Sequence, residues 1–182
     1  MYNDKIRWPL VTNRIQRGKM GTFGMVRNGG TRAHDGWDLY ANLGTACYAV
    51  GDGVVESVHY SASYGNIIDI SLNERFRGMP IYARYAHLSM SLANLYKGIQ
   101  IKKGQPIGFT GNTGNAANLK PIDRHLHFEF LKFAQGLHLG KNGLLDRFDP
   151  SEIYGVTPLG QTVYDPCINT WEPSDGRTMP QR

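Results

Sequence analysis

The sequence predicts a mainly β fold, built on an antiparallel sheet and accompanied by short helices. Two observations lead to this expectation. The 182 residues include 22 glycines, which favours a chain rich in turns over a helical bundle. Several segments also alternate apolar and polar residues, as strands with one buried face do. The length suits one domain with a trailing extension.

In the first half of the chain, the lead-in is expected to be irregular, with one short strand at MGTFGMV (residues 20–26). The segment ACYAVGDGVVESVHY (46–60) alternates apolar and polar residues on both sides of a Gly-Asp-Gly turn, which predicts a hairpin. YGNIIDISL (64–72) and MPIYARYAHL (79–88) predict two strands that pair with each other.

The second half begins with SMSLANLYKG (89–98), which predicts a helical turn. IQIKKGQPIGFTGNTGN (99–115) predicts short strands broken by glycines, and HLHFEFLKF (125–133) predicts a further strand. DPSEIYG (149–155) predicts a last short helix that begins at Asp149 or Ser151.

After Gly155 the composition changes to Pro, Gly and Thr without clear periodicity, which predicts an irregular tail. The expected organisation is therefore an N-terminal lead-in (1–28), one domain (29–155) and a C-terminal extension packed on or near that domain (156–182).

The net charge of +5 and the pI of about 9.2 suit an acidic partner, such as nucleic acid, an anionic membrane or an anionic cell wall. The basic residues are scattered and form no nucleic-acid-binding motif, so no nucleic-acid partner is expected. No apolar stretch is long enough to span a bilayer. The first 18 residues lack the apolar segment of a secretory signal.

The two cysteines, Cys47 and Cys167, are too few for a disulfide scaffold. One disulfide between tail and body, or two free thiols, are both compatible with the sequence. Their spacing does not suit a zinc site made of thiolates.

Three motifs concentrate metal-binding side chains. HDGWD places His34 and Asp38 four residues apart, on one face of either a strand or a helix. YAHLS places His87 at the end of an apolar strand, and HLH directs His125 and His127 from one strand face. Imidazoles and a carboxylate are typical zinc ligands, and histidines beyond three ligands could transfer protons. The spacing alone leaves open which histidines bind the metal.

Other chemistries fit less well. The chain contains no HExxH sequence, so the common helix-borne metalloprotease site is excluded. GFTGNTGN lacks the Lys-Ser/Thr ending of a phosphate-binding loop. We interpret His59 and His138 as structural or surface residues.

The three motifs resemble those of the lysostaphin-type (LytM-like) zinc metallopeptidases, a family that cleaves cell walls. The family pattern of H-x-G-x-D, Y-A-H-L-S and H-L-H-F-E is matched by HDGWD (34–38), YAHLS (85–89) and HLHFE (125–129). The connecting segments AVGDGVV, YGN and IKKGQPIGFTGNTG are also similar. The resemblance extends over about residues 29–133.

The resemblance implies that His34, Asp38 and His127 hold a zinc ion, and that His87 and His125 form the catalytic pair. It also implies an antiparallel β fold with the site in a groove across the sheet. A carboxylate next to a ligand imidazole would support it, and Asp35 and Glu129 are candidates for this role.

The implied function is a zinc-dependent antibacterial-type endopeptidase that hydrolyses the peptide stems of peptidoglycan, with the bond between D-alanine and diaminopimelate favoured. A glycine-bridge peptidase, a zinc amidase, and a non-enzymatic wall-binding or amidase-regulating module are the alternatives. The place of action would be the periplasm or cell wall. Delivery by phage lysis or by specialised secretion would fit the absence of a secretory signal, and so would a trimmed chain. For a secreted toxin, an immunity or delivery protein is the expected partner.

One segment departs from the family pattern. NAANLKPIDR (115–124) is longer than the usual connection and ends with Arg124 directly before His125. This loop would border the groove, so we expect Arg124, together with Tyr64 and Asn66, to contact substrate.

Overall fold

The structure, a computed structural model, describes residues 5–15 and 19–156, together with the backbone of 163–165 and 170–172. The described elements are, in chain order, β1 (Gly24–Arg27), β2 (Arg32–His34), β3 (Trp37–Tyr40), β4 (Ala46–Tyr48), β5 (Gly53–Ser61), β6 (Gly65–Phe76), β7 (Met79–Ser91), β8 (Gln100–Ile101), β9 (Pro106–Thr110), β10 (His125–Leu131), β11 (Arg147–Phe148), α1 (Pro150–Tyr154), β12 (Val163–Asp165) and β13 (Thr170–Glu172).

Nine of these strands form one sheet, in which β11, β10, β7, β6, β5 and β8 lie side by side. Strand β3 pairs with β10, and β9 pairs with both β7 and β4. Every strand pair is antiparallel. The predicted fold class, a mainly antiparallel β structure with short helices, is confirmed.

The long hairpin of β6 and β7 confirms the predicted pairing of 64–72 with 79–88, since Asp69 lies opposite Arg84 and Ile70 opposite Ala83. All seven residues of β10 are buried, as expected for a strand that is paired along both of its edges, with β7 on one side and β3 and β11 on the other. The last helix, α1, begins as predicted: the Asp149 carboxylate accepts a hydrogen bond from the Ser151 amide at 2.8 Å.

Two predictions of local structure were wrong. The segment 46–60 does not form a hairpin, because β4 pairs with β9 and β5 pairs with β6 and β8. Residues 89–98 form no helix, because β7 continues through Ser91, where Met90 and Ser91 lie opposite Phe109 and Gly108 of β9. The residues that follow form only isolated turns, one of them closed by the Leu95 amide donating to the Leu92 carbonyl at 3.0 Å.

The N-terminal segment packs against the sheet rather than extending away from it. Ile6, Leu10 and Ile15 are buried in the core. Trp8 stacks on Tyr154 of α1, with ring centroids 3.7 Å apart. The described part of the lead-in thus contributes to the same core as the predicted domain.

Most of the predicted extension (156–182) lies outside the described residues, as does Cys167. The backbone of β12 and β13 forms a separate antiparallel pair. Cys47 is buried with a free thiol, and burial raises the pKa of that thiol. No helix in the described ranges has the length and apolar character required to cross a bilayer.

Candidate metal centre

Three side chains from separate motifs meet at the paired strands β3 and β10. Asp38 and His127 lie directly opposite each other in this pair, and His34 ends the neighbouring strand β2. The His34 Nε2 atom lies 3.1 Å from Asp38 Oδ1 and 3.2 Å from His127 Nδ1. The third side of the triangle, between His127 Nδ1 and Asp38 Oδ1, measures 2.9 Å. All three residues are buried.

This cluster fits a zinc ion. Each residue offers one ligand atom, and the three atoms lie within 4.8 Å of one another. Tetrahedral zinc with nitrogen and oxygen ligands at about 2.0–2.1 Å places those ligands about 3.3 Å apart, close to the separations observed. Two imidazoles and a carboxylate leave a fourth position for water or substrate, as catalytic zinc sites do.

Each of the three side chains is oriented by a second partner. The His34 Nδ1–H donates to the Thr22 carbonyl at 2.7 Å. The Arg27 guanidinium donates to the other carboxylate oxygen of Asp38, Oδ2. His127 Nε2–H donates to Glu129 Oε1 at 3.0 Å, on the side of the ring away from the cluster. Such outer contacts fix the tautomer and direction of a metal-binding side chain.

The partner of His127 belongs to a buried charge network. Glu129 Oε2 accepts from Arg147 Nε at 3.0 Å, and both side chains are fully buried. Arg147 also pairs with Asp146 at 2.7 Å, and Asp146 accepts backbone N–H groups from residues 137–139. The network therefore links the candidate ligand His127 to the loop at one wall of the groove.

The charges of the cluster shift its pKa values in opposite directions. Burial raises the pKa of Asp38, but attraction by His125 and His34 and hydrogen bonds from His127 and His34 outweigh it, so this pKa lies well below its ordinary value. Burial lowers the pKa of His127, but the bonds to Asp38 and Glu129 outweigh it and raise the pKa to about 9. The carboxylate is therefore ionised at neutral pH and available to a cation.

His87 and His125 flank the cluster without belonging to it. His125 Nε2 lies 3.5 Å from Asp38 Oδ1, and the two rings meet edge to face, with centroids 5.4 Å apart. The Nδ1–H of His87 donates to the Thr113 carbonyl at 3.0 Å, and that of His125 donates to the Asp123 carbonyl at 2.8 Å. Both imidazoles thus keep Nε2 available for the groove.

The environment of this pair favours neutral rings. Burial, followed by the nearby charges of His127 and His125, lowers the pKa of His87 to about 4. Burial is also the main cause of the lowered pKa of His125. His87 has a φ of 57°, in the left-handed region that a non-glycine residue rarely occupies. Its amide is fixed there by donating to the Tyr64 carbonyl at 2.8 Å, and such strained backbone is typical of functional sites.

The five residues line one cavity of about 670 Å³. The predicted border of the groove is present, since Asn115, Ala116 and Leu119 of the loop also line the cavity. Beyond these, the lining residues are Arg27, Arg32, Ala33, Asp35, His59, Ser61, Ser63, Tyr64, Ile67, Arg84, Gln135 and His138.

The three expected substrate-contacting residues have different positions. Tyr64 lines the cavity, and its hydroxyl donates to Asp35 Oδ2 at 2.7 Å. The Asn66 amide instead donates to the carbonyls of Leu88 and Ser89. Arg124 is half-buried and is not among the residues that line the cavity.

The roles of several residues could not be read from the motifs. Glu129 contacts a candidate ligand as expected, whereas Asp35 contacts Tyr64 rather than a ligand imidazole. His59 and His138, interpreted as structural or surface residues, are exposed at the cavity lining. Arg27 and Arg147 were not singled out, because no spacing in the sequence relates them to the histidine motifs.

Comparison with known proteins relates the sequence to peptidases. The model of peptidase family M23 matches residues 32–139. The chain is similar to the peptidoglycan DD-endopeptidase ShyC of Vibrio cholerae, with 36% identity over 110 residues, 60% of this chain and 22% of that protein. It is also similar to the glycyl-glycine endopeptidase ALE-1 of Staphylococcus capitis, with 32% identity over 110 residues, 60% of this chain and 27% of that protein.

Among solved structures, the catalytic domain of the antimicrobial peptidase lysostaphin from Staphylococcus simulans superposes with a TM-score of 0.55 at 27% identity, over 79% of this chain and 92% of that chain. The matched region spans about a quarter of the length of the two curated relatives. The family match covers more than half of the sequence and includes all three histidine motifs. The chain belongs to peptidase family M23.

Proposed function

We propose that the chain is a zinc-dependent endopeptidase that hydrolyses peptide cross-links of bacterial peptidoglycan. The observation that carries this proposal is the arrangement of two neutral imidazoles beside a buried cluster of His34, Asp38 and His127 in one open cavity. The named activities of the two curated relatives, both endopeptidases, support it.

In this proposal, His34, Asp38 and His127 hold the zinc ion. When bound, zinc would supply a Lewis acid that polarises the scissile carbonyl and lowers the pKa of a water molecule. Glu129, Thr22 and Arg27 keep the ligand atoms directed at one point, so that little reorganisation is needed when the metal binds.

His87 and His125 would move protons during hydrolysis. Because the pKa of each is lowered, each ring is neutral at neutral pH and can accept a proton from the attacking water at Nε2. The resulting imidazolium would stabilise the negative charge that develops on the carbonyl oxygen. Transfer of the proton to the amide nitrogen then breaks the C–N bond and gives a carboxylate and an amine.

The bond between D-alanine and diaminopimelate is the proposed substrate within this class. The DD-endopeptidase relative supports this choice, whereas the glycyl-glycine endopeptidase relative makes the glycine bridge the alternative. Action on peptidoglycan would place the protein in the periplasm or cell wall. An immunity or delivery protein as partner stays a prediction.

The test combines metal analysis with digestion of purified peptidoglycan and mass analysis of the fragments. The zinc-loaded protein should release fragments cut at peptide cross-links, and a chelator should stop the release. His34→Ala and Asp38→Ala should lose both zinc and cleavage, whereas His87→Ala should keep zinc and lose cleavage. Cleavage by metal-free protein would contradict the proposal.

The same digest separates the alternatives. Fragments cut between sugar and peptide would indicate an amidase, and fragments cut within glycine chains would indicate a glycine-bridge peptidase. Binding of peptidoglycan without any new fragment would indicate a non-enzymatic module. The intact cluster and the two flanking imidazoles favour the enzyme over such a module.

A further inference from the structure

The hairpin of β1 and β2 brings two arginines to the cavity. Arg27 and Arg32 lie opposite each other in this hairpin, and both line the cavity that contains the candidate metal ligands. Arg27 is already engaged, since its Nε donates to the Met20 carbonyl at 2.9 Å and a terminal nitrogen donates to Asp38.

Arg32 has no such engagement. Its side chain is exposed and makes no hydrogen bond or ion pair with any residue of the described ranges. Arg84, the third arginine at the cavity, is buried and paired with Asp69 through two hydrogen bonds. The carboxylate of Asp35, which also lines the cavity, accepts a hydrogen bond from the Tyr64 hydroxyl. Arg32 is therefore a cavity arginine whose charge is available to a ligand.

The position of Arg32 on β2 directs its charge toward the side of the hairpin that carries a candidate metal ligand. Arg32 lies two residues before His34 in β2, so both side chains project from the same face of the strand. Its cross-strand partner Arg27 reaches the Oδ2 atom of Asp38. An arginine on this hairpin is thus long enough to contact a group bound near the metal ligands.

We propose that Arg32 binds a carboxylate on the substrate residue that supplies the scissile nitrogen. This inference rests on the proposed endopeptidase function. In a direct cross-link, the scissile nitrogen of diaminopimelate is attached to a carbon that also carries a free carboxylate. In a glycine bridge, the corresponding carbon carries an uncharged amide. A guanidinium at this position therefore selects the direct cross-link, because arginine binds carboxylate through charge-assisted, often paired hydrogen bonds.

The test compares two synthetic cross-linked peptides that differ at one group: the diaminopimelate carboxyl next to the scissile nitrogen is either free or converted to a carboxamide. The zinc-loaded full chain should cleave the free acid with a kcat/KM about 10- to 100-fold higher than that of the amide, as expected for loss of a charged hydrogen-bond pair. Arg32→Gln should bring the two values together. Arg75→Gln, which removes an exposed arginine outside the cavity lining, should keep the wild-type ratio.

Equal kcat/KM values for the two peptides with the wild-type protein, or an unchanged ratio in Arg32→Gln, would overturn the inference. A binding measurement separates this failure from that of the proposed function. If neither peptide is cleaved, titration calorimetry with the zinc-loaded His87→Ala variant should still show tighter binding of the free acid, lost when Arg32→Gln is added. Equal binding of both peptides would overturn the assignment of Arg32 in that case also.

Discussion

The guanidinium of Arg27 donates a hydrogen bond to Oδ2 of Asp38, while Oδ1 of the same carboxylate faces the imidazoles of His34 and His127. Arg27 comes from β1 and Asp38 from β3, so the contact joins the N-terminal hairpin to the sheet. One carboxylate oxygen is thereby directed to the candidate metal position and the other is held away from it.

This contact predicts that Arg27→Ala weakens zinc binding by about 10- to 100-fold, as loss of an outer partner of a metal ligand commonly does. Without the guanidinium, Asp38 loses the hydrogen bond that fixes its direction. The zinc dissociation constant can be measured by competition with a chromophoric chelator. Arg27→Lys keeps the charge without the planar fork and should recover part of the affinity. Unchanged affinity in Arg27→Ala, relative to an Arg75→Ala control, would show that Asp38 needs no such partner.

The buried pair of Glu129 and Arg147 leads to a prediction about stability. Glu129→Gln should lower the free energy of unfolding by about 1.5–3 kcal/mol, because Arg147 would keep only one of its two buried carboxylate partners, Asp146. Urea unfolding in the presence of a chelator measures this effect apart from metal binding. Glu56→Gln removes the carboxylate that pairs with Lys97 at the surface and should cost about 1 kcal/mol or less. Similar losses in the two variants would contradict the prediction.

Local patterns in the sequence identified the strands better than they identified which strands pair with each other. Sequence pattern located β6, β7 and β10, because each strand buries one or both faces over most of the residues that the pattern covers. The hairpin expected at 46–60 failed because the residues between β4 and β5 bond to distant segments. The amide of Val50 donates to the Tyr85 hydroxyl, and its carbonyl accepts from Arg7. Such long-range partners leave no pattern in the local sequence.

At the candidate site too, the sequence identified the motif residues but not their partners. The three histidine motifs could be found in the sequence, but spacing left His125 and His127 equivalent, since both project from one strand face. The hydrogen-bond partners separate them: His127 bonds to Asp38 and Glu129, whereas His125 bonds to the Asp123 carbonyl. Arg27 was not predicted as a site residue, because only the folded hairpin of β1 and β2 brings it to the motif residues.

The close approach of β3 to β10 predicts that Gly36, between His34 and Asp38, tolerates no side chain. A Cβ atom at Gly36 would overlap the carbonyl oxygen of Phe128, and a backbone atom can move only if the strands separate. Gly36→Ala should therefore lower the free energy of unfolding by about 1–3 kcal/mol and weaken zinc binding.

Thermal unfolding with chelator and the zinc competition assay check the two effects of Gly36→Ala. Gly51→Ala is the matched control, because its added methyl group would lie 3.5 Å from the Leu72 side chain, an ordinary contact. Wild-type stability and zinc affinity in Gly36→Ala would mean that β3 and β10 can separate without cost to the site.

The burial of His87 predicts a pH dependence of folding. Its pKa is lowered from 6.5 to about 4 in the folded protein, first by burial and then by the charges of His127 and His125. As the pH falls below 6.5, the unfolded chain binds a proton at this residue while the folded protein does not. The stability associated with neutral His87 is thus fully present above about pH 6.5 and is lost as the pH falls toward 4.

His87→Ala removes this linkage. Between pH 7 and pH 5, in the presence of a chelator, the free energy of unfolding of the wild-type protein should fall by about 2 kcal/mol more than that of the variant. Urea titrations at several pH values measure the two slopes, and the NMR shift of the His87 ring proton reports its protonation directly. Parallel stability curves, or a ring that titrates near pH 6.5, would mean that His87 is solvated in the folded protein and does not enter the groove as a neutral base.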